Sequence, residues 1–222
     1  INDEGDRSFA GFVNSQKNFA DEMLDRKVFE SSEISLQKLF KETRFFITGT
    51  NLLASDKSSE ALLFLVEYAS KSGVRIVIDA NWREIFWDNL DKSSQIQRQD
   101  HIQKIKKFLL NGDILKLSNE EAILFFGNNN PLLISQSLSK KPDVIITNGD
   151  KPISWFINGF QDTTKVLKSP RVVDTTGAGD SFLAGLISRF INRKEDFDKD
   201  SLINHIQFAS VCGLISCLGE GA

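Results

Sequence analysis

The stretch Asp174-Thr175-Thr176-Gly177-Ala178-Gly179-Asp180 holds the residue types and spacing best suited to chemistry. Residues 181–190 follow it and are apolar at Phe182, Leu183, Leu186, Ile187 and Phe190, a helical spacing. A glycine-bearing turn therefore opens a buried helix. Two glycines let backbone N–H groups turn toward a ligand with no side chain in the way. The helix start adds unsatisfied donors and the positive end of the dipole, so the turn can cradle a phosphate. The charge of Asp180 would repel a phosphate if the loop did no more than hold one. A carboxylate there suits removal of a proton from a nucleophile that attacks the phosphate. The competing reading is an ordinary glycine turn with Asp180 as a helix cap.

The elements that must carry this turn alternate along the chain. Residues 45–49, 74–79, 113–117, 144–147 and 154–157 read as strands, and 7–13 as a further one. Helical spacing covers 59–72, about 97–110, 119–126 and about 201–217; Ala61, Leu62, Leu65, Val66 and Ala69 share one face of the first. Strands apolar throughout and separated by helices predict a parallel sheet covered on both faces. Ligands of such sheets bind beyond the carboxyl ends of the strands. Residues 2–6 have a hairpin-turn composition, and 128–131, Asn-Asn-Asn-Pro, read as a loop.

Further residues stand just after these strands. Asp79-Ala80-Asn81-Trp82-Arg83, with Trp87 beyond, follows one; Arg83 there can offer a planar fork to a phosphate, a carboxylate or sugar hydroxyls, or make a surface salt bridge. Ser118-Asn119-Glu120-Glu121 opens a helix, where acids are favoured in any case. Thr147-Asn148-Gly149-Asp150 is a strand–turn–glycine step, and Gly5-Asp6-Arg7-Ser8-Phe9 lies near the start.

Taken together, these motifs resemble the ribokinase-like (PfkB) carbohydrate kinases, in their fructokinase-like branch. The resemblance implies an α/β fold: a three-layer sandwich with a mostly parallel central sheet and a partial β lid. One kinase domain would then fill residues 1–222, with 1–20 in the lid. It implies ATP-dependent phosphorylation of a sugar hydroxyl. Asp180 would be the base, and the N–H groups of Gly177, Ala178 and Gly179 the anion hole. Thr147 and Gly149 would lie beside the nucleotide, with Glu121 in the outer shell of Mg²⁺. Asn81 and Arg83 would contact the substrate. Asp174 and Thr176 match positions that hold K⁺ in potassium-dependent members. The family's usual Asn is Ser118 here, as in fructokinase-like relatives. Phe12-Val13 stands where many fructokinases and 2-keto-3-deoxygluconate kinases carry Tyr-Arg, which loses an Arg contact to the sugar. Fructose is the default substrate; 2-keto-3-deoxygluconate or another sugar is the alternative. The resemblance admits a homodimer paired through the lid.

Composition sets the outer bounds. The 222 residues suffice for one α/β core, and 41% are hydrophobic. A net charge of −3 gives no electrostatic case for nucleic acid or an anionic membrane. No apolar run reaches about 18 residues, so no transmembrane helix is expected. Cys212 and Cys217 read as small buried hydrophobes, and His101 and His205 as surface or boundary residues. P-loop, protein-kinase and Gly-x-Ser-x-Gly motifs are absent. A cytoplasmic location is expected, with organellar import left open because the sequence begins at Ile1. The family's sugar-holding glycine pair and acid, the other half of the lid and the stretch beyond the adenine pocket find no match. A non-catalytic or incomplete kinase fragment is therefore the second expectation.

Overall fold

A computed structural model describes residues 23–83, 95–169, 171–191 and 198–220, with the side chains of 95–97 outside the description. The lid expectations for 1–20, the strand at 7–13 and Trp87 lie outside these residues. The described elements are helices α1 (Arg26–Ser31) and α2 (Glu33–Glu42), strand β1 (Phe45–Thr48) and helix α3 (Asp56–Lys71). Strand β2 (Arg75–Asp79), helix α4 (Gln95–Leu109), strand β3 (Ile114–Ser118), and helices α5 (Asn119–Phe126) and α6 (Pro131–Ser137) follow. Strands β4 (Asp143–Asn148), β5 (Lys151–Ile157) and β6 (Phe160–Thr164) and helices α7 (Ala178–Ile191) and α8 (Lys199–Ser216) complete the order. The strands are hydrogen-bonded in the order β1-β2-β3-β4-β5-β6. Two compact units divide between Val144 and Ile145.

In the unit that ends at Val144, β1 and β2 are parallel, with Phe46 opposite Ile76, and β2 and β3 are parallel, with Val77 opposite Ile114. Parallel neighbours need crossover helices, and α3 and α4 supply them. Ile76, Val77, Ile78, Ile114, Leu115 and Leu117 are all buried, so both faces of these strands are covered. Ala61, Leu62, Val66 and Ala69 of α3 are buried as their spacing predicts; Leu65 is half-buried. The Asn128–Pro131 stretch is more than a loop. The Asn130 side chain accepts from the N–H groups of Leu132 and Leu133, and Pro131 takes the first position of α6.

In the unit that begins at Ile145, β5 and β6 form an antiparallel hairpin with Trp155 opposite Asp162. Its two-residue turn, Asn158-Gly159, has φ of 50° and 82°, the positive pair of a type I′ turn. Ile153, Trp155 and Ile157 alternate inward, and the Trp155 indole N–H donates to Thr164 Oγ1 at 2.9 Å. Helix α7 buries Phe182, Leu183, Leu186, Ile187 and Phe190 and packs along α8. Close approach is achieved at Gly185 and Gly213: a Cβ at Gly213 would lie 2.9 Å from the Ala178 carbonyl oxygen. His205 is buried rather than peripheral, its ring edge-on to Phe190 at 6.4 Å. The helical turn that carries it faces α7, which outweighs the usual preference of imidazole for the boundary. Cys217 is buried and Cys212 half-buried, both as thiols.

Candidate functional site

The glycine turn is shaped by residues of its own unit. The α8 end supports the approach to it: the Cys217 carbonyl accepts from the N–H groups of Val173 (2.8 Å) and Asp174 (3.3 Å). Carbonyls at a helix end lack intrahelical partners, so this bonding satisfies one and fixes the segment before the turn. Asp174 is buried, and its Oδ1 accepts the Thr176 N–H at 2.8 Å. That bond folds residues 174–176 back on themselves. Gly177 then adopts φ of 76°, in the left-handed region that a side chain disfavours. Its carbonyl accepts the Ser181 N–H at 2.8 Å, the first i→i−4 bond of α7.

Gly177 is therefore the residue before the helix, and Asp180 is the third residue inside α7. Asp180 is exposed and does not occupy the cap position. The Ala178 N–H reaches back to the Thr175 carbonyl at 3.3 Å, a long bond. Gly179 lies within the helix. Thr147 is half-buried near the end of β4, and Gly149, φ 54°, is exposed in the β4–β5 turn. An added Cβ at Gly149 would meet nothing within 4 Å.

In the other unit, the carboxyl ends of β2 and β3 gather the remaining candidates. Ser118 caps α5 and forms a capping box: its hydroxyl accepts the Glu121 N–H at 3.2 Å, while Glu121 Oε2 accepts the Ser118 N–H at 2.7 Å. Glu121 Oε1 accepts the Trp82 N–H at 2.6 Å. Glu121 thus ties the segment after β2 to the segment after β3. Burial pushes the Glu121 carboxyl above the ordinary glutamate range, against the pull of the two backbone donors. The charge of Asp79 raises it further and that of Lys116 opposes. Asn81 and Arg83 are half-buried just beyond β2, Asn81 with φ of 40°.

Each candidate thus stands at the carboxyl end of a strand or at the opening of α7. Asn81, Arg83 and Glu121 are brought together in one unit through Trp82; Asp174, Thr176, Gly177, Ala178, Gly179 and Asp180 form one turn in the other. Sequence reasoning passes over Lys116. Its ammonium lies 2.8 Å from Asp79 Oδ2, and both side chains are buried. A lysine within Ile114-Leu115-Lys116-Leu117 is the signal available for it. Thr50, fully buried, is missed as well; its hydroxyl donates to the Ala80 carbonyl.

Mg²⁺ keeps several waters and uses one or two protein carboxylates beside substrate phosphates. Among the described residues no three acidic, His or Cys side chains gather into a metal cage. The half-buried Glu121 fits an outer-shell part, since each carboxylate oxygen keeps acceptor capacity beyond its one backbone bond. Among the described residues no helix is long and apolar enough to cross a membrane.

Comparisons with known proteins converge on one family. Residues 3–222 match the pfkB family carbohydrate kinase model. Probable fructokinase-6, chloroplastic, of Arabidopsis thaliana is 27% identical over 227 residues, spanning all of this chain and 54% of that protein. Fructokinase-1 of Zea mays is 26% identical over 223 residues, 99% of this chain and 64% of that protein. The chain therefore spans a little over half to under two thirds of the length of these relatives. Among solved structures, fructokinase of Xylella fastidiosa with bound ATP superposes with a TM-score of 0.76 at 20% identity, over 93% of this chain and 63% of that one. Fructokinase of Vibrio cholerae O395, bound to fructose, ADP and calcium ion, gives 0.67 at 22% identity, over 80% and 56%. These likenesses show the fold, the ribokinase-like α/β sandwich. With residues 3–222 matched, the chain belongs to the pfkB family of carbohydrate kinases.

Proposed function

We propose that the protein phosphorylates a sugar hydroxyl with ATP, in the manner of a fructokinase. The observation that carries this reading is the opening of α7. An exposed carboxylate, Asp180, stands in the first turn of a helix that begins at a left-handed glycine, on a loop braced by buried Asp174. Asp180 takes the proton of the acceptor hydroxyl as that oxygen bonds to the γ-phosphorus. The N–H groups of Gly177, Ala178 and Gly179 meet the charge on the transferring phosphoryl group. The long Ala178–Thr175 bond costs little to exchange for a stronger one to a phosphate oxygen. Thr147 and Gly149 border the nucleotide, and Gly149 leaves room for backbone approach. Glu121 would lie in the outer shell of Mg²⁺, which when bound would supply neutralisation of phosphate charge. K⁺ would be held by Asp174 and Thr176 behind the turn. Asn81 and Arg83 hold the sugar.

Fructose follows from the relatives. The second reading, 2-keto-3-deoxygluconate or a different sugar, is favoured by Phe12-Val13 in place of Tyr-Arg. The test is ADP release by the full protein over fructose, ribose and 2-keto-3-deoxygluconate, with Asp180→Asn in parallel. The variant should lose roughly 10²–10⁴ in kcat with nucleotide affinity unchanged. Retention of more than about a tenth of the wild-type rate would remove Asp180 from the role of base.

A further inference from the structure

The end of β2 and the segment after it are held at four points by groups that, Glu121 apart, no part of the phosphoryl-transfer reading uses. The Asp79 carboxylate is gripped by the Lys116 ammonium at 2.8 Å, and Asp79 and Lys116 are also register partners across the two strands. The Ala80 N–H donates to the Lys116 carbonyl at 3.0 Å, which carries the ladder one residue past the strand. The Ala80 carbonyl accepts the Thr50 hydroxyl. The Trp82 N–H donates to Glu121 at 2.6 Å, and the Trp82 ring sits edge-on to buried Phe125 at 6.2 Å. Between these fixed residues lies Asn81, with φ of 40°. Left-handed backbone at a non-glycine residue persists only where its surroundings over-determine it, and such residues gather at ligand sites. Burying an ammonium and a carboxylate is a poor way to gain stability alone, because desolvation offsets most of their attraction.

We propose that Lys116 and Thr50 are positioning residues: they lock Asp79 and Ala80 so that Asn81 and Arg83 leave β2 in the one direction that serves the sugar. The proposal rests on the sugar-kinase reading for its ligand. The locking itself is independent of that reading. Lys116 acts through Asp79, and Thr50 through the Ala80 carbonyl; neither need touch the sugar. A loosened segment would present the same side chains less often in the binding geometry, which raises the sugar KM and leaves the ATP KM alone.

The experiment uses the full protein in three forms. Asp79→Leu with Lys116→Met replaces the ion pair by apolar side chains, a change that spares folding in comparable cases. Thr50→Val removes the hydroxyl, and Thr50→Ser restores it. Hydrogen exchange of the amides at 80–83 is measured together with the KM for sugar and for ATP. We expect faster exchange at 80–83 and a rise in sugar KM of at least about tenfold in the first two forms. The ATP KM should stay within about twofold, and Thr50→Ser should behave as wild type. Wild-type exchange and sugar KM in both altered proteins would overturn the proposal. So would an equal rise in both KM values. If the paired replacement fails to fold, the two Thr50 forms decide. A wild-type protein that phosphorylates no sugar overturns the functional reading, and the sugar part of this proposal with it; the exchange arm still decides whether the lock exists.

Discussion

Gly213→Ala should slow the enzyme from the far side of α7. Gly213 sits on α8, and an added Cβ would stand 2.9 Å from the Ala178 carbonyl oxygen and 3.5 Å from Phe182 Cβ. Ordinary carbon–oxygen contact begins near about 3.3–3.6 Å, so one partner must yield by roughly 0.5 Å. The near partner is backbone, not a side chain that can rotate away. Overpacking of this kind costs about 1–3 kcal/mol. A chain of this size loses roughly 2–4 °C in Tm per kcal/mol, so Tm should fall by about 2–12 °C. The peptide pushed is the first of α7, between Gly177 and Asp180. A misplacement of about 1 Å at reacting groups can cost roughly 10², so a shift of about half that should lower kcat about tenfold. The assay is ADP release beside thermal unfolding, with Gly185→Ala as the control. A Cβ at Gly185 would meet Cys212 Sγ at 2.9 Å, farther along the same helix pair. The control should lose stability and keep most of its kcat. An unchanged Tm in Gly213→Ala refutes the packing argument; a lowered Tm with wild-type kcat refutes the link from α8 to the turn.

Two further perturbations test Gly177 and Glu121. Gly177→Ala forces a side chain into φ of 76° and should cost about 1–2 kcal/mol of stability and most of the turnover; unchanged unfolding would show that the turn tolerates a Cβ. Glu121→Gln should raise the Mg²⁺ concentration for half-maximal rate, and an unchanged Mg²⁺ titration would leave Glu121 as a backbone tie alone. The same variant carries a pH signature. Burial raises the folded-state pKa of Glu121 above its unfolded value, so its contribution is fully present below the unfolded value and is lost as pH rises through the folded one. The wild type should therefore lose stability as pH rises past the ordinary glutamate range by an amount that Glu121→Gln does not, read from denaturant midpoints; parallel pH curves for the two proteins would contradict the assignment.

Much of this is legible because it rests on spacing. The apolar positions of residues 182–190 identify α7, and the apolar run ending at Asp79 identifies β2. The hairpin is only half legible. Strand β6, Phe-Gln-Asp-Thr-Thr, exposes most of its length and has no apolar alternation of its own. Its signal is Asn158-Gly159, the dipeptide that a type I′ turn demands. Asn130-Pro131 likewise reads as loop composition although it is a helix start, since a capping Asn and a first-turn Pro also belong to turns. In sequence Asp180 resembles a cap as much as a base; only the bond from Ser181 to Gly177 places it inside the helix. The Lys116–Asp79 pair spans 37 residues and depends on strand register, which no local pattern discloses.

That register has a consequence for how the chain finds its fold. Strands buried on both faces carry no inside–outside alternation, so a slip of one residue between β2 and β3 would still bring apolar against apolar. Asp79 and Lys116 break the degeneracy. In the native alignment each charge meets its partner; in a slipped one, an ammonium and a carboxylate are buried apart, at a cost of several kcal/mol. The pair thus rejects wrong alignments more than it strengthens the right one.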